Sequence, residues 1–298
     1  MGDITLRKAL DDYKTVYMTY RNFAERTREE YLNDLEDLIQ FLEKLGIKDV
    51  GAIGLPQLER YIAELDNRGI AGSTRKRKVA AIRSFLWYLF QDGYISTDIA
   101  KRLIPPFAEA KSPRYLTKWE YERLLEVSIQ NPRDFALIQL LLQTGIKLSE
   151  LNRLTVSDVE LPPVSQLGTK EIGYLHVSGG ERQKARISPL NHKVSVALTE
   201  YLKRRPGTTT PSLFINRFGS SLGARGVQKL VQKYLDKADI KNANVHTLRH
   251  TFGVHHTAKG TSLKTIINAM GYKDIRSPSK YVSLAQELMK NELQDHAL

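Results

Sequence analysis

The 298-residue chain contains no cysteine. That absence excludes disulfides, cysteine-ligated zinc and thiol nucleophiles together. No apolar run approaches the length of a membrane span, and the charged, polar start is no signal peptide. No membrane partner is therefore expected, and the expected address is cytoplasmic. Internal repeats and low-complexity tracts are missing too. Acids are absent from Ala71 to Phe90, although they crowd residues 25–66. What is present, 41% hydrophobic and 26% charged residues, is ordinary for a globular protein long enough for two cores.

The formal net charge of +12 is unevenly placed. Residues 1–110 hold 17 Lys and Arg against 17 Asp and Glu, so residues 111–298, with 28 against 16, carry the whole excess. A basic surplus confined to one domain is the footprint expected of phosphate contact, and double-stranded DNA is the partner it suggests. Inside the neutral first domain, Arg75, Lys76, Arg77, Lys78 and Arg83 form one basic stretch. It reads as a helix face laid against DNA, or as a solvated charge run.

Periodicity divides the chain. Residues 5–45 carry helical spacing (Tyr31, Leu35, Leu38, Leu42) with a stop at Gly46. Pro56 opens a short helix, and Ser73 or Thr74 caps another that runs to Gly93. Residues 1–104 thus form a helical bundle. Residues 105–114 form a linker stiffened by Pro105, Pro106 and Pro113. The second domain, 115–298, begins with a capping box at Thr117 and Glu120. Three strands are expected at Val156–Leu161, Ile172–Val177 and Ala185–Leu190, and helices from Lys193 onward. The fold class is mainly α with a small antiparallel β-sheet.

The chemistry-bearing run is His246-Thr247-Leu248-Arg249-His250. A histidine and an arginine three apart share one helix face, so both reach the same phosphate. The imidazole exchanges protons near neutral pH and the guanidinium grips two phosphate oxygens. Tyr281, within Arg276-Ser277-Pro278-Ser279-Lys280-Tyr281, offers a nucleophile just before a terminal helix. Together they read as phosphodiester chemistry on DNA with no metal and no cofactor. Each alone has a blander reading: His-x-x-Arg pairs are common on helix surfaces, and Tyr281 is one of 14 tyrosines. His256–Lys264 also fits a helix-turn-helix with its turn at Gly260, a reading that leaves the strands and the linker unexplained.

With these motifs placed, the chain resembles the tyrosine recombinase family, most closely its Xer-like and phage-integrase-like members. The resemblance spans nearly the whole length. It rests on Gly72–Phe85, on Gln143-Thr144-Gly145-Ile146-Lys147-Leu148-Ser149-Glu150-Leu151, on Ser212–Asn216 and on the His-x-x-Arg. It implies an N-terminal helical core-binding domain and a C-terminal α+β catalytic domain. The implied activity is cleavage and rejoining of DNA through a 3′-phosphotyrosine, with self-association on DNA as dimer or tetramer through the C-terminal helix. Tyr281 matches the nucleophile, Arg249 the second arginine and His246 the proton-handling histidine.

Three positions depart from the family pattern. Lys147 stands where the family has its first arginine, keeping the charge but not the fork. Glu181 falls at the hairpin lysine, with Lys184 three residues on as a substitute acid for the leaving 5′-hydroxyl. Tyr272 replaces the histidine or tryptophan of a Leu-Gly-His-like motif at Met270-Gly271-Tyr272. Two readings follow: a recombinase with an altered, slower site, and a catalytically silent DNA-binding protein on the same scaffold.

Overall fold

The computed structural model describes residues 4–107, 112–163, 172–179, 185–272 and 276–295. The chain divides into two compact units, residues 1–111 and 112–298.

The first unit is helical among its described residues: α1 (Leu6–Asp12), α2 (Met18–Tyr20), α3 (Glu25–Lys44), α4 (Leu55–Asn67) and α5 (Gly72–Gln91). The continuous helix expected over 5–45 is interrupted. A π-helical turn, Tyr13–Tyr17, joins α1 to α2, and Asn22 then takes a positive φ of 49°, which asparagine tolerates. The π turn lowers Tyr13 into the core, where its hydroxyl donates to Ser84 Oγ at 2.8 Å. Helix α5 starts at Gly72 without a side-chain cap, not at the expected Ser73 or Thr74. Leu35, Leu38, Leu42, Leu58, Val79, Ile82, Phe85 and Leu89 close the core.

The second unit contains α6 (Lys118–Ser128), α7 (Pro132–Thr144), α8 (Leu148–Leu151), a three-stranded sheet, then α9 (His192–Arg204), α10 (Ala224–Lys237), α11 (Val245–Ala258), α12 (Leu263–Met270) and α13 (Arg276–Asp295). The Thr117–Glu120 capping box is formed as expected. Strands β1 (Val159–Glu160), β2 (Gly173–Val177) and β3 (Arg186–Leu190) lie in that order, both pairs antiparallel. Strand β1 is shorter than expected because Asp158 bends the chain. Its carboxylate accepts from both the amide and the hydroxyl of Thr155, each at 2.7 Å, and sets a 3₁₀ turn over Val156–Asp158. Pro189 is accommodated because β3 is an edge strand.

Helix α13 corrects one expectation. Tyr281 is not a junction residue before the last helix; it lies inside it. Pro278 does not delay the helix, because first-turn amides have no intrahelical acceptor to lose. Tyr281, Leu284 and Leu288 are buried with Phe252, Val254, Ile266 and Met270, so the helix docks on its own domain.

Candidate active site

Helix α11 starts where Asn244 caps it. The Asn244 Oδ1 accepts from the amides of His246 and Thr247 at 2.8 and 3.3 Å, and Thr247 Oγ1 accepts from the Asn244 amide at 3.0 Å. The reciprocal cap fixes the first turn. His246 is left exposed near the helix N-terminus, where the macrodipole favours an anion. Arg249 points inward and is 5% exposed.

Its surroundings follow from how α12 ends. Gly271 adopts the left-handed conformation (φ 63°), and the amides of Gly271 and Tyr272 turn back to the carbonyls of Asn268 and Ile267. The next three carbonyls are those of Ala269, Met270 and Gly271. Each accepts from a side-chain cation on a different element. Arg186 Nε on β3 donates to Ala269 O at 2.8 Å, and Arg249 Nη2 on α11 to Met270 O at 2.7 Å. Lys147 Nζ, just before α8, donates to Gly271 O at 3.2 Å. A helix C-terminus is the negative end of its dipole, so the three cations are held by charge as well as by hydrogen bonds. Arg249 Nη1 also donates to Gly145 O, joining α11 to the end of α7.

Glu150 ties the same corner from below. It accepts from the Lys147 amide at 2.8 Å and from Arg186 Nη1 and Nη2 at 2.9 and 2.8 Å. Burial opposes its charge, but the Arg186 fork and the Lys147 amide outweigh that and hold the carboxyl below its ordinary range.

The phenols meet above this corner. Tyr272 lies with the Arg249 guanidinium 4.7 Å from its ring centre, a cation–π contact. The Tyr272 hydroxyl is 2.8 Å from that of Tyr281, and His250 Nδ1 is 2.9 Å from the same Tyr281 oxygen. Tyr281 is fully buried. Its ring lies against Gly253, where any Cβ would come within 2.5 Å of it, so only glycine leaves room. Burial first, then the Tyr272 hydroxyl, raises the Tyr281 phenol well above its ordinary range, and Arg249 pulls the other way. Burial, reinforced by Lys280, His246 and Arg249, lowers His250 to about 4.

The structure thus brings together Tyr281, Tyr272, Arg249 and Lys147, with His246 on the exposed face of α11 one turn from His250. Lys184 and Glu181 lie outside the described residues. His250, Glu150 and Arg186 were not picked from the sequence. The only sequence signal for His250 was its place four residues after His246, on the same helix face.

The basic stretch of the first unit is also rearranged. Arg75 pairs with Asp66 at 2.8 Å, and Arg77 with Glu30 at 2.9 Å and with Asp34. Lys78 is buried between Asp34 (3.1 Å) and Asp37 (2.8 Å). The acids of residues 25–66 therefore fold back onto the run that lacked acids. Of the five residues, Lys76 and Arg83 stay exposed, seven apart on one face of α5.

Among the described residues, no helix is long and apolar enough to cross a membrane, and no group of three His, Asp or Glu is placed to hold a metal ion.

Comparison with known proteins places this geometry. Residues 114–287 match the phage integrase family, and residues 10–93 match the phage integrase N-terminal SAM-like domain. The tyrosine recombinase XerC of Pelotomaculum thermopropionicum is 31% identical over 300 residues, covering 94% of this chain and 95% of the relative. The XerC of Roseiflexus castenholzii is 29% identical over 279 residues, 90% of this chain and 86% of its own. Among solved structures, the XerH recombinase on palindromic difH substrate superposes with a TM-score of 0.76 at 19% identity, covering 96% of this chain and 84% of that one. A lambda integrase dimer on a COC′ core site gives 0.76 at 16% identity, with 94% and 78% covered. With the catalytic-domain match spanning more than half its length, the chain belongs to the phage integrase family, as a Xer-like tyrosine recombinase.

Proposed function

We propose that this chain binds double-stranded DNA and performs site-specific recombination, cutting and rejoining strands through a 3′-phosphotyrosine at Tyr281. The observation that carries the proposal is the convergence of Arg249, Lys147 and the Tyr281 phenol on the C-terminal turn of α12. In this reading a scissile phosphate is held by Arg249 and Lys147, and exposed His246 reaches it from the helix N-terminus. The phosphorane gains negative charge, and donors already fixed in place stabilise it without reorganising. The bond energy is kept in the tyrosyl ester, so rejoining needs no external energy source. Lys184 is our assignment for the acid that protonates the leaving 5′-hydroxyl.

Tyr281 is closed off in the free chain, so attack requires the start of α13 to release it toward DNA. The lysine at position 147 favours the second reading, a binding protein on the same scaffold, because one ammonium replaces a bidentate fork. The experiment that separates the two uses a pool of nicked duplexes of randomised sequence. Covalent protein–DNA adducts are recovered from denaturing gels and the trapped duplexes sequenced. The recombinase reading expects adducts from the wild type and none from Tyr281→Phe. Sequence-enriched binding without adducts supports the silent scaffold.

A further inference from the structure

We propose that the tight turn carrying Arg217 and Phe218 is a base-reading element that sets Phe218 on the methyl group of a thymine in the DNA major groove. This deepens the reading of the chain as a site-specific DNA recombinase and rests on it.

The basic surplus of the second unit has a centre. Residues 201–235 contain seven Lys and Arg and no Asp or Glu. At the start of this run, Lys203 and Arg204 turn back to Glu200, at 2.8 and 3.9 Å, and Arg205 donates to the carbonyls of Thr210 and Ser212. The other four, Arg217, Arg225, Lys229 and Lys233, are exposed and form no ion pair among the described residues. Three of them lie on α10, whose solvent face also carries Gln228 and Gln232, while Val227, Leu230, Val231 and Tyr234 bury the opposite face. A helix face made of long donors suits the major groove, which admits a helix and whose guanine and adenine edges pair with Arg, Lys and Gln. Helix α10 packs on α8, which starts beside Lys147, and on α11, which carries Arg249. A duplex whose phosphate rests on those two cations is therefore within reach of α10.

Phe218 interrupts the polar character of this surface: it is 76% exposed. Its turn is nevertheless firmly held. Asn216 Oδ1 accepts from the amides of Phe218 and Ser220 at 2.8 and 3.2 Å, and the Asn216 amide donates to Ser220 O at 2.8 Å. Gly219 takes a φ of 77°, and its carbonyl accepts from Thr208 Oγ1 at 2.6 Å. Both arms are locked to α10. On the first, Arg133 Nη1 donates to Ile215 O at 2.9 Å and Arg133 Nε to buried Asp134 at 2.8 Å; the other Asp134 oxygen accepts from Tyr234 of α10 at 3.0 Å. On the second, Leu222 packs on Gly226, where a β-carbon would stand 2.9 Å from its side chain. The backbone that presents the ring is thus fixed beforehand, so docking it costs little ordering.

The Arg217 guanidinium lies 4.7 Å from the Phe218 ring centre. One ring face is thereby covered, which does not suit a wedge that must slide between two base pairs. The other face and the edge stay free. The apolar group that base edges offer in the major groove is the thymine methyl. Phe218 against that methyl, with Arg217 on a flanking phosphate, accounts for an exposed ring on a basic surface.

The test needs binding alone, not cleavage. Wild type and Phe218→Ala, which keeps the turn but shortens the side chain, each select duplexes from a randomised pool. Thermal melts first confirm that losing this exposed ring leaves the fold intact. The wild type should enrich a thymine that Phe218→Ala no longer prefers, while the other positions keep their preference. That thymine is then replaced by uracil, which lacks only the methyl. Uracil should weaken wild-type binding about three- to fivefold, the value of one buried methyl group, and leave Phe218→Ala unaffected. Arg217→Ala should instead weaken binding at all sequences and lower the salt slope by about one ion. A uracil penalty that is absent, or equal in the two proteins, overturns the proposal. So does 2-aminopurine beside the site that brightens with wild type but not with Phe218→Ala, because unstacking marks a wedge. A change confined to sedimentation gives the turn to protein contact and overturns it too. A wild type that enriches no sequence sinks the site-specific reading and this role with it. Enrichment that ignores Phe218 sinks this role alone.

Discussion

Arg186 sets both ends of its fork on Glu150, at 2.9 and 2.8 Å, while its Nε holds the carbonyl of Ala269. One side chain thereby ties β3 to the start of α8 and the end of α12, the two places that present Lys147 and Tyr272. Removing one partner of a buried pair strands the other charge, at a cost of about 3–5 kcal/mol, whereas removing both costs far less. Glu150→Ala should therefore lower stability in urea unfolding more than the double change Glu150→Leu, Arg186→Met. Equal losses from single and double changes would show that the pair contributes little coupling.

Lys147 donates to Gly271 O, 3.2 Å away, and is a single point charge. An arginine there keeps that contact and adds a fork for the phosphate. Lys147→Arg should raise the rate of adduct formation roughly 10- to 100-fold, the value of one transition-state donor. An unchanged rate, measured on the same duplex, would mean that the site is already suited to lysine.

In the first unit, Lys76 and Arg83 are exposed whereas Arg75, Arg77 and Lys78 are held by acids. Lys76→Ala and Arg83→Ala should each weaken DNA binding at all sequences and reduce the salt slope by about one ion. Lys78→Ala should instead destabilise the bundle, because it takes away the cation shared by buried Asp34 and half-buried Asp37 and leaves them only Arg77 and Arg68. Binding isotherms over a salt series, set beside thermal melts, separate the two effects. An unchanged salt slope in Lys76→Ala and Arg83→Ala would move the DNA face elsewhere.

This rearrangement marks the limit of what was legible in advance. Helical periodicity and the proline-rich linker describe local chemistry, and local chemistry is what a linear reading resolves. The His-x-x-Arg and Tyr281 were found because their types and order carry the chemistry. Ion pairs between Arg77 and Asp34, forty-three positions apart, depend on how α3 packs on α5, which no run of like charges announces. The same is true of His250. Nothing beside it in sequence shows that Tyr281, thirty-one positions on, folds back to within 2.9 Å of its ring.

Acid should expose the cost of keeping that ring neutral. Burial and its cationic neighbours lower His250 from 6.5 to about 4. The unfolded chain then takes a proton that the folded chain refuses. The stability contributed by neutral His250 is complete above pH 6.5 and is lost as pH falls from there toward about 4. His256, lowered by its own burial, adds to the same decline. The melting temperature should fall through that window, and His250→Asn should flatten the fall. A slope untouched by the change would place the acid sensitivity in other groups.

The last helix links stability to access. Leu284 and Leu288 follow Tyr281 along one face of α13 and are 6% and 5% exposed, whereas Met289 beside them is 47% exposed. The stripe thus docks on its own domain in the free chain, and it is the same stripe expected to engage a neighbouring protomer on DNA. Cutting the chain at residue 284 would uncover Phe252, Val254, Ile266 and Met270 together, so a milder change is the better probe. Leu288→Ala should cost about 2–5 kcal/mol if the cavity stays open. Hydrogen exchange should accelerate in α13 while α7 and α9, packed in the separate main core, keep their protection. If one stripe serves both docks, the variant should occupy a single DNA site normally yet lose cooperativity on paired sites. Faster exchange with unchanged cooperativity would confine the stripe to its own domain and leave protomer contact to another surface.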